Sequence, residues 1–140
     1  LNETSQEEPV QQVLVCACQY KTTDPALGKE GATEDDVPAA ASCLSDQNAS
    51  LVERYKAMFT LRNVGGAAAV TALCAALRTD SSSACLRHEV AFVLGQMEHD
   101  ESSSALIEAL ADVDEQPVVR HEAAIALGAV GSSTAREALT

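Results

Sequence analysis

The chain has 140 residues, enough for one domain, and 46% of them are hydrophobic. Its net charge is −12 with a pI near 4.4, and residues 1–50 carry nine acids against two bases, so a nucleic-acid partner is disfavoured, and the charge reads either as a field that favours a cationic partner or substrate or as ordinary solubilising charge. No apolar run reaches the roughly 18 residues needed to span a bilayer.

Residues 5–19 hold Val10, Val13, Leu14 and Ala17, a short helical stripe with Pro9 near its first turn. Residues 20–34 hold Pro25, Gly28 and Gly31 among polar residues, a composition that reads as an irregular linker. Val37, Ala40 and Leu44 form a brief apolar stripe, which predicts a helix over 35–45 that covers the end of the stack that follows.

From residue 49 the chain repeats itself. Arg87-His88-Glu89-Val90-Ala91, leading to Leu94-Gly95, recurs 33 residues later as Arg120-His121-Glu122-Ala123-Ala124, leading to Leu127-Gly128. An earlier copy has Arg54-Tyr55-Lys56-Ala57. A 33-residue period with two amphipathic segments per copy predicts an all-α array of stacked helix pairs, an α-α superhelix. The predicted pairs are 50–63 with 66–78, 84–97 with 102–111, and 117–130 with 133–140. Val90, Val93, Leu94 and Met97 supply the apolar stripe of one first helix. Ser81–Ser83 and Ser102–Ser104 offer cap oxygens, Pro117 suits a helix start, and Gly65 and Gly131 suit helix ends. Gly95 and Gly128, each seven residues after a histidine, read as sites of close helix approach, with a cap role as the alternative. The last helix lacks a counterpart to Leu77 and Leu110, so the chain reads as a piece of a longer array.

Five cysteines, Cys16, Cys18, Cys43, Cys74 and Cys85, form no CxxC pair and no zinc spacing. Buried free thiols in a reducing compartment are the expectation. The two His-Glu pairs are the one dense patch of chemistry. Equivalent helices in a stack lie about 8–10 Å apart, so His88 and His121 can reach a shared ion. With one glutamate they make a two-histidine, one-carboxylate set, which suits non-haem Fe(II), with zinc as a competitor. The bland alternative is a charged helix start that stabilises the repeat and carries no metal. Tyr55 and Lys56 read as a buried aromatic and a surface lysine, His99 as a solvent-exposed loop residue, and Arg87 and Arg120 as bridges between repeats.

The three blocks Glu53-Arg54-Tyr55-Lys56-Ala57-Met58-Phe59-Thr60-Leu61-Arg62-Asn63-Val64-Gly65-Gly66, Arg87–Met97 and Pro117–Gly131 resemble, in that order, the deoxyhypusine hydroxylase family. The resemblance covers about residues 49–140 and points to the C-terminal half of such an enzyme, with 1–19 like the end of a preceding repeat and 20–48 like a linker. It implies a fold of HEAT-like repeats, a type also named after phycobilisome lyases. It implies an iron-dependent monooxygenase of the cytoplasm, acting in hypusine biosynthesis. Such an enzyme uses O2 to hydroxylate the deoxyhypusine side chain of eukaryotic translation initiation factor 5A at a di-iron centre. Carried over, His88, His121 and Glu122 become ligands of one iron and Glu89 faces the substrate amine. The N-terminal half would be the partner that completes the centre, so this chain alone is expected to be inactive. A non-catalytic HEAT scaffold that binds a protein partner is the competing reading.

Overall fold

The computed structural model describes residues 28–131 and 133–139, and the side chains of all of these but 133–135. The expected stripe at 5–19 and the linker residues 20–27 lie outside that range. Seven α-helices follow in order: α1 Val37–Ser45, α2 Leu51–Val64, α3 Gly66–Thr79, α4 Ala84–Met97, α5 Ser103–Ala111, α6 Pro117–Val130 and α7 Ser133–Leu139. Two 3-10 turns, Glu34–Asp36 and Asp100–Ser102, lead into α1 and α5. No strand occurs among the described residues, as the all-α reading expects. None of these helices is long and apolar enough to cross a membrane.

Helices α2, α4 and α6 form one layer, and α1, α3, α5 and α7 the other. The sequence builds each helix end locally. Ser50 caps α2 by accepting from the Glu53 amide at 3.2 Å, while Glu53 Oε2 accepts from the Ser50 amide at 3.2 Å. Ser83 Oγ caps α4 by accepting from Leu86 N. Pro117 opens α6, and Gly131, with φ of 67°, closes it in the left-handed region. The expected serine cap at 102–104 takes a different form. Ser102 Oγ instead donates to the His99 carbonyl, and His99 Nδ1 accepts from the Glu101 amide, so that histidine caps the 3-10 turn. Both bonds favour the turn before α5 over a bare loop.

The interior is a run of leucines and small residues. Leu44, Leu61, Leu73, Leu86, Leu94, Leu106 and Leu127 are fully buried between the layers, with Ala69, Ala91 and Ala123 beside them. Small residues let the helices of one layer approach. A Cβ on Gly95 would lie 3.0 Å from the Cα of Ala126, so α4 and α6 touch backbone to backbone there. Gly128 departs from the expectation. It has open space around it and lies inside α6, so it is neither a close-approach glycine nor a cap. Its counterpart helix in a further unit would be the one to meet it.

Three arginines tie the layers together. Arg54 is 1% exposed, and its Nε and Nη2 donate to the Leu44 carbonyl while Nη2 and Nη1 reach Asp80 Oδ1 and Ser82 Oγ, each at 2.7 Å. Arg87 grips Glu115 with two hydrogen bonds of 2.8 and 2.9 Å and donates to the Asp80 carbonyl. Arg120 donates to the Leu110 carbonyl, repeating the Arg54–Leu44 link 66 residues later. The expected bridging role of Arg87 and Arg120 is what the contacts display. Burial pushes the Asp80 carboxyl up, but hydrogen bonds from Arg54, Ser82 and the Ser83 amide outweigh it and hold the group below its ordinary range.

Candidate metal centre

The His-Glu pairs sit in the first two turns of α4 and α6, held by the layer just described. His88 is half-buried, and its Nε2 lies 3.2 Å from Glu122 Oε2 on the neighbouring helix. Glu122 is buried by the same packing. That close approach follows from the helix contact at Gly95 and Ala126, which draws the α4 and α6 axes together. Glu89, the residue after His88, is also buried at 7% exposure, and its Oε2 has no hydrogen-bond partner among the described residues. Burial, and then the Glu122 charge, push the Glu89 carboxyl up to about 7, with the Arg62 guanidinium pulling the other way. His121 is exposed, one residue before Glu122.

Two donors at about 2.1 Å from one ion and at right angles stand about 3.0 Å apart. His88 Nε2 and Glu122 Oε2 therefore match one edge of a coordination sphere. The orphaned carboxylate oxygen of Glu89 beside them has the chemistry of a group waiting for a cation. The third donor is not assembled. Among the described residues no three His, Cys, Asp or Glu side chains gather closely enough to hold a metal ion, so His121 is not drawn in with His88 and Glu122.

The other residues singled out from sequence fall as follows. Tyr55, at the His88 position of the first unit, is buried and Lys56 is exposed. His99 departs from the expected exposed loop residue: it is half-buried, because its ring caps the 3-10 turn described above, and it plays no part in the pair. Cys43, Cys74 and Cys85 are free thiols, but only Cys74 is buried as expected, Cys43 and Cys85 being half-buried; burial raises the pKa of Cys43 and Cys74. Cys16 and Cys18 lie outside the described residues. Arg62, whose Arg62-Asn63-Val64-Gly65-Gly66 run suggests a turn from sequence, instead lies in the last turn of α2 and makes an interaction near the site that the sequence did not reveal. Arg62 lies over the Phe59 ring, 4.7 Å from its centroid, and its charge is felt at Glu89. The signal was available, since Phe59 and Arg62 are three apart on one helix face.

A model of HEAT repeats matches residues 70–140, half of the chain, and a model of the PBS lyase HEAT-like repeat matches residues 53–79. The chain belongs to the HEAT-repeat family. Within that family it is similar to proteins of one name. The deoxyhypusine hydroxylase of Mus musculus is 46% identical over 66 residues, 47% of this chain and 21% of that protein. That of Gallus gallus is 45% identical over 62 residues, 44% of this chain and 20% of that protein. The solved structure of human deoxyhypusine hydroxylase in complex with glycerol matches with a TM-score of 0.75 and 44% identity, over 84% of this chain and 39% of that one. The resemblance read from the three blocks is thus borne out. The HEAT-repeat chain spans about a fifth of the length of the curated relatives it matches.

Proposed function

We propose that this chain forms part of a deoxyhypusine hydroxylase, and that His88, His121 and Glu122 hold one iron of its centre while Glu89 receives the substrate amine. The observation that carries the reading is the His88–Glu122 contact at 3.2 Å beside the unpartnered Glu89 carboxylate, on helices 45% or so identical to enzymes of that name. Iron bound there would supply the activation of O2 for hydroxylation of a carbon–hydrogen bond. The chain's own residues do the rest. The α4–α6 contact fixes His88 against Glu122, so two donors are preset before any ion arrives. Glu89 is placed to accept a hydrogen bond from an ammonium group, and its own burial strengthens that bond. His121, exposed, completes the set by a side-chain turn.

The substrate in this reading is the deoxyhypusine residue of eukaryotic translation initiation factor 5A, the setting is the cytoplasm, and the centre is closed by the half of the enzyme that precedes this region. This chain alone does not hydroxylate. The test is iron content and hydroxylation in the full-length protein. His88→Ala and His121→Ala each remove both, while Glu89→Ala keeps iron and loses substrate binding by about 1.5–3 kcal/mol. Full iron loading in both histidine variants refutes the ligand set. A HEAT scaffold without catalysis is the second reading, favoured by exposed Phe92, Val118 and Ile125 on the same helices. A full-length protein that binds no iron decides for it.

A further inference from the structure

Phe92 and Ile125 are 41% and 52% exposed, whereas Val90, Val93 and Leu94 on α4 and Val119 and Leu127 on α6 are buried. They are equivalent residues, 33 apart. Each follows its histidine by four residues and its glutamate by three, so each shares a helix face with both. Val118, 44% exposed and three residues before His121, extends that face. The Gly95–Ala126 contact lies at the same level of α4 and α6 and holds the two apolar groups on closely packed helices. The first unit has Phe59 at this position, 6% exposed, and there the guanidinium of Arg62 covers the ring. One copy of the ridge position thus already carries a cation with a long hydrocarbon stem.

We propose that Phe92 and Ile125 seat the hydrocarbon stem of a ligand whose ammonium head pairs with Glu89, and so decide how long a stem the site accepts. The inference rests on the reading of Glu89 given above and adds the specificity residues. Charge and shape narrow the class. Glu89 and Glu122 exclude an anion. A purely apolar ligand leaves the Glu89 oxygen unpaired. A short amine pairs the carboxylate and leaves the ridge wet. A primary ammonium on a stem of several methylenes, free or as a side chain, satisfies both ends.

The experiment titrates n-butyl-, n-hexyl- and n-octylammonium into the full-length protein at pH 8, following the Phe92 ring and Ile125 methyl resonances. In the native protein the affinity rises about two- to fourfold per added methylene, and both resonances shift. In Phe92→Ser/Ile125→Ser the three amines bind within about twofold of one another. Phe92→Leu keeps the length dependence, and Val113→Ser, at a loop position that is 80% exposed, leaves it unchanged. Thermal melts of each variant establish that it is folded. Glu89→Gln weakens all three amines alike, by about tenfold or more. An undiminished length dependence in the double serine variant overturns the ridge. A flattened length dependence there, with Glu89→Gln silent, upholds the ridge and overturns the carboxylate reading. No binding of any amine overturns both.

Discussion

The two junctions within the α2–α4–α6 layer are built from equivalent positions and behave differently. Between α4 and α6 the close contact is Gly95 on Ala126, and the helices pack along much of their length. Between α2 and α4 the same two positions are Arg62 and Val93, and the packing is sparser. The polar pair changes in step. Glu122 meets His88 at the tight junction, whereas Glu89 has Tyr55 at the corresponding position of the open one and its Oε2 lacks a partner. The preset donor pair and the unsatisfied acid therefore differ both in bulk at one helix position, Gly95 against Arg62, and in the residue that faces the acid, His88 against Tyr55. A repeat array can place different chemistry at successive junctions by changing these two helix positions.

The largest effect is expected where the open junction compensates for its sparser packing. Arg54→Met removes hydrogen bonds to Leu44, Ser82 and Asp80 and strands a buried carboxylate, which costs about 3–5 kcal/mol in a denaturant melt. The same contact sets an acid limit. Asp80 has a depressed carboxyl pKa in the folded chain, so its stabilisation is complete above the unfolded value near 3.9 and is lost as pH falls through the folded value. Melts of the native chain between pH 5 and pH 2 should weaken steeply, and Arg54→Met should flatten that dependence. A flat profile in the native chain would show Asp80 titrating as if exposed.

The tight junction breaks by filling. Gly95→Val pushes against the Ala126 backbone and costs about 1–3 kcal/mol, and it should part His88 from Glu122. Gly128→Ala meets nothing and should stabilise by up to about 1 kcal/mol through helix propensity alone. Equal effects of the two substitutions would erase the contrast between the junctions. The smallest expected change is at the acids. In the metal-free chain at pH 8, Glu89→Gln should gain about 1 kcal/mol by removing an unpaired buried charge, and Glu122→Gln should not, because His88 attends it. Thermal melts of the two variants side by side give the answer.

Those glycines also mark the limit of the sequence. The 33-residue period and the apolar spacing gave every described helix from α1 to α7 to within two residues, because periodicity is a local property of the chain. Gly95 and Gly128 look alike in one dimension. What distinguishes them is a packed neighbour: α6 lies against Gly95, and no described helix lies against Gly128. The His88–Glu122 contact was legible as an equivalence of sites but not as a distance, and the exposure of His121 was not legible at all. Gly28 gives the clearest case of hidden information. Its backbone packs on that of Thr60, and the Lys29 amide donates to Thr60 Oγ1 across 31 residues of sequence. A pattern reading of a polar linker offers no cue to such a contact.

Asp80 has one further consequence. Its Oδ1 accepts from Arg54 while its Oδ2 lies 3.7 Å from Arg87 and its carbonyl accepts from Arg87 at 3.2 Å, so two successive units share a single residue. In a one-dimensional array the sharpness of unfolding is set by the free energy between neighbours, not by the stability of each unit. A residue gripped from both sides adds to that nearest-neighbour coupling alone. Unit one cannot fray without releasing Arg54 from the loop that anchors unit two, and the pair melts as one step. With Asp80→Ala the same helices would remain, but the melt would spread into two overlapping transitions, because the array would have lost a link and not a unit.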